Sequence, residues 1–162
     1  MPHFHRQYSG TQSKSDGQHI AIPPHIALAT IGPVIQIVVL QTPKVTEVLM
    51  QKGIALSPPQ QGNALIDTGA SNTCIDIAIA QALGLPVIDV TKIASASHSS
   101  TECNIYPVRF VVPGVFTMNL DIERAIGVNL QSQGIIALIG RDVLKNCTLY
   151  YNGPMGQITL SA

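Results

Sequence analysis

No apolar run in this chain goes far before a glycine or a proline stops it. Thirteen glycines and eleven prolines are spread over 162 residues, and the runs between them are of strand length. Val34 to Leu40 is one such run, almost entirely β-branched. Asn63 to Ile66, Val87 to Ile93, Ile105 to Val112, Val115 to Ile122, Ile135 to Ile139, Cys147 to Tyr151 and Gln157 to Leu160 read the same way. Many short strands separated by turns predict a mostly β domain, built as a closed or sandwich-like sheet. The stretch from Ile20 to Leu40 is apolar but broken by Pro23, Pro24 and Pro33. It reads as strands and not as a membrane span, which needs about 20 largely uninterrupted apolar residues.

Helical signals are brief. Thr42-Pro43 pairs an N-cap with a proline at the first helical position, predicting a short helix through Val45, Val48 and Leu49 that stops at Gly53. Asp76 caps a second helix, whose face is Ile77, Ala80 and Leu83 and whose stop is Gly84. A third, from Arg141 to Asn146, follows Gly140. The polar stretch Ala94 to Asn104 between two strands predicts a hairpin with a mobile tip, and Gly127 to Gly134 a loop. Residues 1–19 lack periodicity and read as a flexible N-terminal arm; residues 20–162 then form one domain, with 41–59 as an insertion between core strands.

Composition narrows the function classes. Mean hydropathy of +0.29 with 46% hydrophobic residues excludes a disordered chain. Charged residues are only 11%, the formal net charge is zero, and Trp is absent, so neither a basic stripe nor a stacking platform exists for nucleic acid. Cys74, Cys103 and Cys147 form no C-x-x-C pair and no metal-spaced set with the five histidines. They read as small packing residues in a reducing, cytoplasmic setting. The first residues lack the apolar core of a secretory signal. No cofactor, metal or membrane partner is expected.

The chemistry is concentrated in two segments, Ala64-Leu-Ile-Asp67-Thr-Gly-Ala-Ser71 and Ala137-Leu-Ile-Gly140-Arg-Asp-Val-Leu144. The first puts a carboxylate at the end of a buried strand, in a tight turn that Gly69 permits. A second carboxylate brought to such a site would have to share one proton with it. The pair is then equipped for general acid–base hydrolysis, one member taking a proton from water while the other protonates a carbonyl oxygen.

These two segments, in this order, resemble the hallmarks of the retropepsins, the aspartic proteases of retroviruses and their cellular relatives. The closing Cys147-Thr-Leu-Tyr and the hairpin Gly153 to Leu160 resemble the same family, so the likeness spans roughly Pro33 to Ala162. The resemblance implies a mostly β, closed acid-protease (retropepsin-like) barrel with one or two short helices. Because the chain carries one Asp-Thr-Gly where pepsin-like enzymes carry two, it also implies a homodimer that pairs Asp67 with its counterpart. Asp67 is then the catalytic residue of a peptide hydrolase. Thr68 bonds across the two-fold axis, while Gly69, Ala70 and Ser71 offer groups to an extended peptide. Ala96, Ser97 and His98 close over the peptide as the flap, and Gly140 and Arg141 support the turn. Activity is expected to be highest below neutral pH. The interface is expected in the Cys147 to Leu160 hairpin and the strand before Gln41.

Three features depart from the viral pattern. Ser71 stands where an acidic partner for Arg141 is usual, the flap tip has no glycine, and the flap lacks a pepsin-type tyrosine. Other readings of the same residues are weaker: Asp142 is a dipole-compensating residue at a helix start, and nothing in sequence places Cys74 near His98 as a nucleophile and base. One alternative stays open, a catalytically weak or inactive dimeric peptide-binding module that keeps the fold.

Overall fold

Two identical tripeptides, Ala64-Leu-Ile and Ala137-Leu-Ile, lie side by side as parallel strands in exact register, Ala64 opposite Ala137 and Ile66 opposite Ile139. This pairing organises the rest of the chain. The computed structural model describes residues 3–13, 15–95, 98–113 and 118–161. In chain order the strands and helices are β1 (His3–Gln7), β2 (Gly10–Ser13), β3 (His19–Ile22), α1 (Pro24–Ile31), β4 (Val34–Leu40), α2 (Pro43–Gln51), β5 (Gln60–Ile66), β6 (Cys74–Asp76), α3 (Ile77–Ala82), β7 (Asp89–Ser95), β8 (His98–Val111), β9 (Asn119–Val128), β10 (Ala137–Ile139), α4 (Arg141–Leu144), β11 (Thr148–Asn152) and β12 (Gln157–Ser161). A short 3₁₀ turn, Gln131–Gln133, precedes β10.

The principal sheet runs β4-β5-β10-β6-β9-β8-β7, and β4 also pairs with β8 through Val38 to Leu40. The ladder therefore returns on itself, with β7 as an extra outer strand on β8. Inward residues alternate along these strands as a sheet with one buried face requires: Ile35, Ile37 and Val39 of β4 and Val108 and Phe110 of β8 are fully buried. They join Ile66, Ile75, Ile139 and Leu160 in one core. A smaller cluster of Val34, Leu130 and Ile135 packs with Leu65 and Cys74.

Three expectations are corrected. The segment read as a flexible arm is not free: β1 pairs antiparallel with β12 along His3 to Gln7, and Tyr8 is 1% exposed. The Tyr8 hydroxyl donates to the Val34 carbonyl at 2.8 Å, its N–H donates to the Gly156 carbonyl, and Arg6 also donates to Val34. Burial pushes the Tyr8 hydroxyl up to about 12, so it stays a donor. With only Phe4 and Tyr8 apolar, this strand has too little pattern to be seen alone. Second, Pro24 to Ile31 is a helix and not a strand; Pro24 opens it at a position where its missing N–H costs nothing. The described residues thus hold four α-helices, one more than the three signalled in the sequence and more than the one or two the resemblance implied. Third, the strand placed at Val115 to Ile122 is β9, which runs on to Val128 into the segment read as a loop; residues 114–117 lie outside the described residues.

The other helices follow their signals. Thr42 accepts the Val45 N–H at the start of α2, and Asp76 accepts the Ala78 N–H at the start of α3. The strand before Gln41 is β4, which has partners on both sides over Val38 and Val39 and so presents no free edge there.

Candidate active site

The pairing of β5 with β10 brings the two motif segments together. Ile66 leads directly to Asp67, whose N–H donates to the Ile139 carbonyl at 2.9 Å, extending the pairing by one residue. The Asp67 carboxylate is half-buried, and its Oδ1 accepts two main-chain hydrogen bonds, from Gly69 at 2.8 Å and Ala70 at 3.2 Å. A carboxylate oriented by its own turn in this way loses little entropy when it acts, because its rotamer is already fixed. Thr68, Gly69 and Ser71 are exposed beside it.

The turn is braced from behind by the second segment. Arg141 Nη1 donates to the Thr68 carbonyl at 3.1 Å and the Gly69 carbonyl at 3.4 Å, and Nη2 donates to Ser71 Oγ at 2.7 Å. A hydroxyl therefore stands where an acidic partner was looked for. The Arg141 and Asp142 N–H groups donate to the Ala70 and Ser71 carbonyls. Gly140 sits so close to Asn72 that a Cβ there would meet the Asn72 carbonyl carbon at 2.5 Å. Glycine is required by proximity here, not by conformation.

Two functional partners were not found from sequence. Thr73 is completely buried. Its N–H donates to Asp142 Oδ2 at 3.0 Å and its hydroxyl to Asp142 Oδ1 at 2.8 Å, while the same hydroxyl oxygen accepts the Gly140 N–H at 3.1 Å. Asp142 does lie in the first turn of α4, as expected of a dipole-compensating residue, yet its main bonds are to Thr73. Asp76, also buried, adds to its capping bond an acceptance of the Leu130 N–H at 2.8 Å. No local signal marks Thr73 with Asp142, since the pair forms only when β6 and β10 meet. Thr73→Val removes the hydroxyl and leaves the buried Gly140 N–H without its acceptor. A loss of about 1–3 kcal/mol is expected, measured by denaturant unfolding.

Cys74 is unsuited to nucleophilic work. Burial, then the nearby Asp142, Cys103 and Asp67, push its thiol up to about 11. Since the thiolate is the reactive form, its alkylation by iodoacetamide at pH 8 is expected to be about a hundredfold slower than that of a free cysteine. Mass spectrometry over time measures this. All three cysteines are free thiols. Among the described residues no group of three or more His, Cys, Asp or Glu side chains is placed to hold a metal. No helix there is long and apolar enough to cross a membrane.

Of the flap residues, Ala96 and Ser97 lie outside the described residues. His98 begins β8, opposite Ser95 at the end of β7. Cavity size does not locate this chemistry: a cavity of about 660 Å³ lies elsewhere and includes no residue of the Asp67 turn. A smaller depression of about 280 Å³ is lined by Val34, Leu65 and Ile135. It too includes no residue of the Asp67 turn.

Residues 58–143, more than half of the chain and all but Leu144 of the two motif segments, match the family described as Aspartyl protease. The chain belongs to this aspartyl protease family. A retropepsin-like aspartic protease from Rickettsia conorii, known from its crystal structure, is similar over 98% of this chain and 92% of that chain, at 13% sequence identity and a TM-score of 0.48. No curated protein matches. The aspartyl protease assignment rests on the family match, which joins the Asp67 turn and the Gly140 segment in one unit. Mostly β architecture and a carboxylate on a braced turn accord with it.

Proposed function

We propose that this chain is an aspartic endopeptidase and one half of a homodimer, with Asp67 of each protomer supplying one carboxylate of a catalytic pair. The observation that carries this reading is the Asp67 turn itself. Its carboxylate is held by the Gly69 and Ala70 N–H groups, and its outer rim of Thr68 and Gly69 is exposed. Each protomer thus offers a rigid half-site with one carboxylate, and hydrolysis by acid–base catalysis needs two.

In the dimer a water lies between the two Asp67 carboxylates. The unprotonated member takes a proton from the water as it attacks the peptide carbonyl, and the protonated member gives its proton to the carbonyl oxygen. The tetrahedral intermediate then collapses with transfer of a proton to the departing nitrogen. Thr68 bonds to the partner's turn, and Arg141 and Gly140 keep the two turns in place. The peptide lies extended against Gly69, Ala70 and Ser71, under the β7–β8 hairpin.

The ring of strand pairings reads as the closed barrel of such enzymes. The β11–β12 hairpin, with Tyr150, Tyr151 and Met155 about half exposed or more, reads as part of the dimer interface. Free thiols suit a cytoplasmic location.

The pH profile tests the shared proton. Activity requires one carboxylate protonated and one ionised, so conditions that remove the shared proton remove the acid and lower the rate. Cleavage of a peptide mixture is expected to be fastest below pH 7 and to fall steadily above it. A rate that rises monotonically through pH 8 would remove the carboxylate pair from the mechanism.

A further inference from the structure

The cavity of about 660 Å³ lies between α2, the outer side of the β8–β9 hairpin and the Pro86 to Ile88 segment. Its walls include Val48, Leu49, Ile54, Pro86 and Ile88. Val48 is 42% exposed and Ile54 and Ile88 are each 50% exposed, so one concave surface leaves several branched apolar side chains open to water. Scattered single apolar residues are ordinary on a surface, but a concave group of them marks a binding site. The volume is within the roughly 300–1,000 Å³ of sites for small molecules, which are mostly apolar with a few placed polar groups.

The charges at the rim select the ligand. Lys44 and Lys52 stand near the two ends of α2, and among the described residues neither takes part in an ion pair. Across from them are Asp121 and Glu123. The Asp121 carboxylate is already held by Arg109, whose Nη2 donates to it at 2.6 Å. The opposing acidic charge is therefore reduced to Glu123, against two free ammonium groups. Neither Asp67 nor any residue of its turn lines the cavity, so this site stands whether or not the chain cleaves peptides.

We propose that this cavity binds a small amphipathic anion, an apolar chain or ring body carrying one carboxylate or equivalent head that meets Lys44 or Lys52. The apolar body covers Val48, Ile54 and Ile88, and the head stays at the rim in partial contact with water. Such a ligand bridges α2 to the strands beneath it and so stabilises the folded state in proportion to its occupancy.

Calorimetric titration of the full chain with decanoate, below its micelle concentration, tests this against decylammonium, which has the same chain and the opposite charge. Decanoate is expected to bind at one site at least tenfold more tightly, and to raise the Tm as its concentration rises. The double variant Lys44→Glu/Lys52→Glu, changed only at exposed positions, is expected to reverse the preference. Val48→Asp, or Ile88→Asp should the first not fold, is expected to abolish binding with the circular dichroism spectrum unchanged. Equal affinity for the two amphiphiles, no binding of either, or binding that survives both apolar-to-acid variants overturns the proposal. Self-association of the protein that is lost in Val48→Asp, without decanoate binding, would assign the surface instead to a second copy of the chain.

Discussion

Asp67→Asn is expected to lower peptide cleavage near pH 5 by about 10³-fold or more while leaving the fold intact. The amide oxygen of Asn can still accept the Gly69 and Ala70 N–H groups that hold the native carboxylate, so the turn keeps its shape. What is lost is the proton transfer, and a positioned acid or base contributes roughly 10²–10⁴-fold to rate. Because both carboxylates of the proposed pair come from this one residue, the change removes the two roles together. The measurement is cleavage of a mixed peptide library read by mass spectrometry, with sedimentation to establish that the variant still dimerises. Mixing the variant into wild type should reduce activity faster than simple dilution, since mixed dimers carry one carboxylate. Equal cleavage by both proteins would take Asp67 out of the mechanism. Cleavage by neither, with both dimeric, would favour the peptide-binding module.

Gly140→Ala is expected to damage both stability and rate. The added methyl would sit 2.5 Å from the Asn72 carbonyl carbon and 2.6 Å from its oxygen, and these are backbone atoms that cannot turn aside. The backbone at Gly140 is extended, with φ of −91°, so alanine meets no conformational strain and the whole effect comes from the collision. Relief requires the 67–73 turn and the β10–α4 junction to separate. Overpacking of this kind costs about 1–3 kcal/mol, and displacement of a reacting group by about 1 Å lowers rate by roughly 10²-fold. Denaturant unfolding reads the first quantity and kcat the second. An alanine variant with native stability and native kcat would show that the two motif segments are not held at fixed separation.

The site was more legible than the frame around it. Asp67, Gly69, Gly140 and Arg141 stand in short, ordered motifs whose residue types are dictated by a carboxylate turn and by close backbone approach. The caps at Thr42 and Asp76 were legible for a similar reason, as each bond is formed within three residues. Helix α1 was not, because Ile26, Ala27, Leu28 and Ile31 make an apolar run whose composition suits a strand equally well. Thr73 with Asp142 and β1 with β12 were hidden for another reason. Their partners are supplied by the topology, and neither member is unusual in its own neighbourhood. That the side-chain partner of Arg141 is the Ser71 hydroxyl emerged only once the turn was folded beneath it.

The pairing of β1 with β12 sets an order of events in synthesis. His3 lies opposite Ser161, so β1 must wait for β12, far along the chain, before it has a neighbour. The strands of the principal sheet meet earlier, since β4 and β5 are close in sequence and β8 and β9 follow one another. A nascent chain can therefore assemble most of its core while Phe4 and Tyr8 remain in water and the Val34 carbonyl still lacks its two donors. Contacts that close so long a loop form slowly. The β1-β12-β11 sheet is therefore completed after the strands of the principal sheet have found their own partners.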